Sequence, residues 1–80
     1  MTKWDTVTYE REIIRRLDSG EKVYLEGGAA NDTITAYEID AYTNVVFTTT
    51  ACIFPKRVDL RDYDGIDTEE FNGELFVRIW

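Results

Sequence analysis

The chain has 80 residues, 44% hydrophobic and 14% aromatic, with 9 Lys and Arg against 16 Asp and Glu, no His, and a net charge of −7. Such a length holds one thin core, with about 60% of the unfolded surface buried. The composition excludes a disordered acidic tail, the charge opposes binding to nucleic acid or an anionic membrane, and one cysteine excludes an internal disulfide.

Met1 to Asp5 lacks the apolar stretch of a signal peptide, and no apolar run approaches the roughly 20 residues of a membrane span. With the lone cysteine, this favours an intracellular protein. Residues 1–80 are therefore expected to form a single α+β domain with no internal repeat and no linker.

The first element is a helix from about Thr6 to Asp18. Asp5 suits its N-cap, and Trp4 with Tyr9 has the spacing of a hydrophobic staple. Tyr9, Ile13 and Leu17 recur every four residues, with Ile14 beside them, and form one apolar face. Glu10, Arg11, Glu12, Arg15 and Arg16 are assigned mostly to the outer face. Ser19-Gly20 supplies the stop, glycine suiting the left-handed C′ position.

Lys22 to Glu26 alternates, with Val23 and Leu25 inward, and closes at Gly27-Gly28, where a flexible loop is expected. Thr33 to Ile39 carries strand formers. A helix capped by Asp32 is the rival reading across residues 32–42, since Ala36, Glu38 and Ala41 favour it. Val45 to Phe54 is the strongest strand, reached through a turn at Thr43-Asn44 and ended by Pro55. Arg57 to Asp62 alternates with Val58 and Leu60 inward. Asp67-Thr68-Glu69-Glu70 has capping-box spacing and starts one helical turn, unless a hairpin turns at Asn72-Gly73. Glu74 to Trp80 is the last strand, with Leu75, Val77 and Ile79 on one face. The fold class is thus α+β, one N-terminal helix packed on a small antiparallel sheet of about four strands. Its core holds Ile13, Ile14, Leu17, Val23, Leu25, Val46, Leu75 and Val77, and the last strand is free to act as a dimer edge.

The charge is not spread evenly. Asp59, Asp62, Asp64, Asp67, Glu69, Glu70 and Glu74 are opposed between positions 59 and 74 only by Arg61, so this segment sums to −6. Such concentration creates a local field that steers a basic partner, whereas even acidity serves solubility. In a strand, Asp62 and Asp64 would lie on one face at a step of about 6.7 Å. Tyr63 and Phe71 interleave the acids: Tyr63 reads as an anchor for a partner, Phe71 as a core residue beneath a solvated face.

Catalytic signatures are missing. Asp62-Tyr63-Asp64-Gly65-Ile66-Asp67 matches the middle of an EF-hand loop. However, Leu60 and Phe71 fall where the first ligand and the bidentate glutamate belong, so no metal is expected. Without histidine the commonest general base is gone. Cys52, in a β-branched run, reads as a small buried hydrophobe. Gly27-Gly28-Ala29-Ala30 lacks the spacing of a phosphate loop. The reading is no enzyme, no catalytic residue and no cofactor.

The acids Asp59, Asp62, Asp64, Asp67, Glu69, Glu70 and Glu74, on a very short cysteine-poor α+β chain, give it a composition and layout that resembles the phage-encoded anti-CRISPR proteins. The resemblance implies a non-catalytic inhibitor acting in the cytoplasm of an infected bacterial host. Its partner would be a basic nucleic-acid-binding protein or complex, a Cascade-type Cas effector being favoured. Those seven acids and Tyr63 would form a DNA-mimicking face, without direct nucleic-acid or membrane binding, on a chain for which a monomer is favoured. Two alternatives stay open: a nuclease immunity protein or antitoxin, and a passive structural or assembly module whose charge only solubilises.

Overall fold

A computed structural model describes the backbone of residues 3–27 and 30–80, and side chains from residue 6 onward. Among these residues, helix α1 (Lys3–Asp18) precedes strands β1 (Val23–Gly27), β2 (Ala30–Ile39), β3 (Val45–Thr49) and β4 (Arg57–Val58). A 3₁₀ turn (Leu60–Asp62), β5 (Ile66–Phe71) and β6 (Glu74–Ile79) follow. The six strands form one mixed sheet, ordered β4-β3-β2-β1-β6-β5. No helix is long and apolar enough to cross a membrane among the described residues.

The fold is α+β, but the sheet has six strands rather than about four and is not purely antiparallel. β1 and β6 run parallel in its interior, pairing Val23 with Leu75 and Leu25 with Val77. β6 is covered on its other side by β5, through the register Ile66↔Ile79 to Phe71↔Glu74. It is therefore an interior strand and offers no dimer edge; the edges are β4 and β5.

α1 ends where the sequence indicates. Gly20, at φ 79°, donates to Leu17 O at 3.0 Å, and Glu21 N donates to Arg16 O at 2.9 Å. These are the two bonds of a Schellman stop. The N-terminus differs: the helix begins at Lys3, which puts Asp5 inside the first turn rather than at the cap. The Trp4–Tyr9 staple and the Gly28-Ala29 loop lie outside the described residues.

Registers sort the side chains. Ile13, Val23, Leu25, Ile34, Val45, Phe47, Val58, Leu60, Ile66, Leu75 and Val77 are buried between α1 and the sheet. Tyr9, Ile14, Leu17, Tyr37, Tyr63 and Ile79 pack around them. Val46 does not belong to this set. Facing Glu38 across the ladder, it alternates onto the open side of the sheet, so β3 contributes Val45 and Phe47 instead. The helix face also differs from a purely apolar stripe. Thr6, Glu10 and Arg16 are buried along it with Ile13.

Residues 67–70 belong to a strand, not a helical turn, and Asn72 (φ 52°) with Gly73 (φ 77°) forms the hairpin. Two successive left-handed residues are what a two-residue I′ turn requires. Residues 32–39 fall in β2, which settles the helix-or-strand alternative there; a bulge at Thr35 breaks its register with β3.

β3 stops at Thr49, well short of Phe54, because a side chain from β2 captures the chain beyond it. The Asp32 carboxylate is fully buried. It accepts from Cys52 N (2.5 Å), Ile53 N (3.1 Å), Phe54 N (2.6 Å) and the Thr50 hydroxyl (3.0 Å). Three backbone N–H groups that would have continued a ladder end instead on one carboxylate. Burial pushes the Asp32 carboxyl up, but the bonds from Phe54, Cys52, Ile53 and Thr50 together outweigh it and pull it from the ordinary 3.8 to about 2.

Two outcomes test this architecture. Leu75→Ala should cost about 2–5 kcal/mol in urea denaturation and Val46→Ala much less, because only Leu75 leaves a cavity in the core. A folded-state carboxyl held below its unfolded value stabilises above the unfolded value and loses that contribution as pH falls through the folded one. Asp32→Asn should therefore lower the melting midpoint at neutral pH and speed amide exchange at Cys52, Ile53 and Phe54. The gap between variant and parent should close as pH drops from about 4 to about 2.

Candidate functional site

On the side of the sheet away from α1, the parallel pairing and the β5–β6 hairpin bring together residues far apart in sequence. Tyr24 and Phe76 stack with ring centroids 5.1 Å apart and planes 19° from parallel. Opposite Phe76 in the register is Glu69, flanked by Asp67 facing Arg78 and Phe71 facing Glu74. Arg78 lies 3.4 Å from Glu26 and 3.7 Å from both Asp67 and Glu69. The Tyr24 hydroxyl donates to Glu74 at 2.8 Å, and this bond to a carboxylate raises the phenol above its ordinary range. A shallow cavity of about 240 Å³ opens between Glu26, Glu69, Phe71 and Phe76.

Three carboxylates, Glu26, Asp67 and Glu69, thus share one guanidinium, a local balance of −2, and Glu74 adds a fourth acid on the same face beside the aromatic pair. Phe71 is not a core residue beneath a solvated face; it is 62% exposed, as the outward alternation of β5 requires.

Of the seven acids expected to form one row, Asp67, Glu69 and Glu74 share this surface. Asp62 and Asp64 are exposed just ahead of β5, and neither makes an ion pair among the described residues. They do not alternate along a strand: Asp62 closes the 3₁₀ turn, and Asp64 lies in a bend whose N–H donates to Trp80 O at 2.7 Å. The remaining two are spent inside the molecule. Glu70 points to the helix side and pairs with Arg16, which also holds Glu12 at 2.8 Å and Glu21 at 3.2 Å. Asp59 caps the 3₁₀ turn and binds Arg61 at 2.5 Å, and Arg61 reaches on to Asn44. Tyr63 is half-buried against the core, so only part of its ring is available to a partner.

Sequence reasoning missed Glu26, Tyr24 and Phe76. They reach the acids only through the parallel β1–β6 contact, which local patterning does not announce. The outward position of Phe71 was available from its two-residue spacing to Asp67 and Glu69 once the segment is read as a strand.

Cys52 is exposed rather than buried, because Asp32 draws its segment out of the sheet. Among the described residues, no three His, Cys, Asp or Glu side chains lie close enough together to hold a metal ion. No protein-family model matches the chain, and no curated protein or solved structure matches it either.

Exposed side chains outside the core should matter little to folding. Glu69→Gln and Phe71→Ala should each shift unfolding by no more than about 0.5 kcal/mol, the range of ordinary surface changes. Thermal or urea melting measures this, and a loss above about 2 kcal/mol would place both residues among those that hold the fold.

Proposed function

We propose that this protein is a non-catalytic inhibitor that docks the β5 side of its sheet onto a basic nucleic-acid-binding surface and displaces the nucleic acid. A crRNA-guided Cascade-type complex is the favoured target. One observation carries the reading: Asp67, Glu69 and Glu26 gather around one cation, Arg78, beside an exposed Phe71, with Glu74 on the same face and Asp62 and Asp64 exposed just ahead of β5.

The physics is that of charge substitution. Duplex DNA offers basic grooves a dense line of negative charge, and a folded surface with fixed carboxylates fills such a groove at little ordering cost. Steering by the −6 segment raises the encounter rate, and the exposed phenyl ring gives the interface an anchor that resists exchange with salt. The face is narrower than the full seven-residue row. Glu70 and Asp59 already have cationic partners, and withdrawing them would break contacts that position α1 and the 3₁₀ turn.

The test is competition for labelled target DNA on a purified guided complex. The protein should block DNA binding, and increasingly less so as salt rises. Asp62→Asn with Asp64→Asn, or Glu69→Gln with Phe71→Ala, should weaken inhibition by about tenfold or more. Glu12→Gln with Glu38→Gln removes as much charge from other regions and should cost less than about threefold. Glu10 is unsuitable as a control because it is buried, not on the outer face of α1. A complex that holds DNA and this protein together would exclude the mimic, as would equal inhibition by parent and variants.

A further inference from the structure

A second cavity, of about 320 Å³, opens between the middle of α1 and the β2–β3 turn. Val7, Ile14, Ile39 and Val45 make its apolar walls, with Glu10, Arg11 and Thr43 also lining it. The volume falls at the small end of the range for ligand pockets. Its lip is apolar and open, Ile39 being 57% exposed and Val7 39%.

Glu10 is the unusual member. The residue is only 5% exposed, and its Oε2 is enclosed without a hydrogen-bond partner. Buried carboxylate oxygens are acceptors that almost always find a donor. The nearby cation does not supply one. Arg61 is committed to Asp59 at 2.9 and 2.5 Å and to Asn44. Burial raises the Glu10 carboxyl, Arg61 lowers it and Asp59 raises it again. Arg11, the other cation on the cavity wall, is exposed and makes no ion pair among the described residues, so its head is free to turn to water.

From this geometry we infer a binding site for an aliphatic chain ending in an ammonium group. The chain would lie on Val7, Ile14, Ile39 and Val45. The head would meet Glu10, whose carboxylate brings either oxygen round by rotation about its last bond, a broad and low-cost torsion. A charged donor rewards a buried carboxylate most. An anionic head is disfavoured by Glu10, which cannot leave the site, and by the net charge of −7. The site is separate from the β5 face, and its test does not depend on the inhibitory role.

Titration of isotopically labelled protein by NMR reads the outcome directly, with hexylammonium, hexanol and hexanoate as probes. Hexylammonium should shift the amides of residues 7–14 and 39–45 saturably. Hexanol should bind roughly tenfold more weakly and hexanoate should not bind. Glu10→Gln should abolish the preference for amine over alcohol while leaving hexanol binding in place. Ile39→Trp, at the exposed lip, should block both ligands even if the Glu10 variant folds poorly. Hexanoate binding as tightly as hexylammonium, or an amine preference that survives Glu10→Gln, would overturn the site. A lysine-bearing tripeptide that displaces hexylammonium would identify the source of the amine as a protein side chain; failure to displace it would identify a free amine.

Discussion

The buried carboxylate of Asp32 is the constraint around which half of the sheet is arranged. An ionised group without water is costly unless its lone pairs are filled, and here three backbone N–H groups and a hydroxyl fill them. Because the N–H donors come from the consecutive residues 52–54 and the hydroxyl from Thr50, the carboxylate fixes the path of the chain from Thr50 to Phe54. That path turns β3 out of the sheet at Thr49 and returns it as β4, with Thr49 N donating to Lys56 O at 2.7 Å. Val58 and Leu60 then drop into the core behind Phe47. A polar residue at a core position thus specifies a connection that apolar packing alone leaves undetermined.

Acidic residues serve three different ends in this molecule, and register decides which. Beside α1 and the 3₁₀ turn, carboxylates meet arginine: Glu12, Glu21 and Glu70 converge on Arg16, and Asp59 on Arg61. A carboxylate placed in the interior becomes an acceptor for backbone, as Asp32 does. At the β5 end of the open sheet the acids outnumber Arg78, and the surplus is left facing solvent. Glu10 fits none of these patterns cleanly, which is why it stands out against an otherwise satisfied interior.

How much of this was legible depends on the range of the interaction. The helix stop at Gly20 and the hairpin at Asn72-Gly73 are written in one or two residues whose backbone demands are strict. The apolar alternation of β1 and β6 is equally local. The length of β3 was misjudged because β-branched residues from Val45 to Phe54 favour a strand, and only a contact with Asp32 in another strand overrules them. Asp32 did leave a trace, two residues before Ile34 and hence on the same face. Val46 went to the wrong face because a run of strand formers carries no alternation to say which side is inward. Glu10 and Arg16 sit on the helix stripe itself, a placement that polarity argues against and that only the neighbouring elements explain. Of the site, the surplus charge was visible in composition, but its division between spent and unspent acids required the sheet order.

The parallel contact between β1 and β6 has a kinetic meaning. The other four pairings in the sheet join strands adjacent in sequence, which favours their early formation. β1 and β6 are separated by nearly the whole of the sheet's chain, from Gly27 to Glu74, so closing them costs loop entropy that no neighbouring contact offsets in advance. Contact order therefore favours assembly from two local pieces, α1 with β1 to β3 and the β5–β6 hairpin, that meet in the interior of the sheet. Until that meeting occurs, β1 presents a bare edge, and the aromatic and acidic groups of the open face remain on two separate pieces. The candidate face is complete only once those two pieces have met.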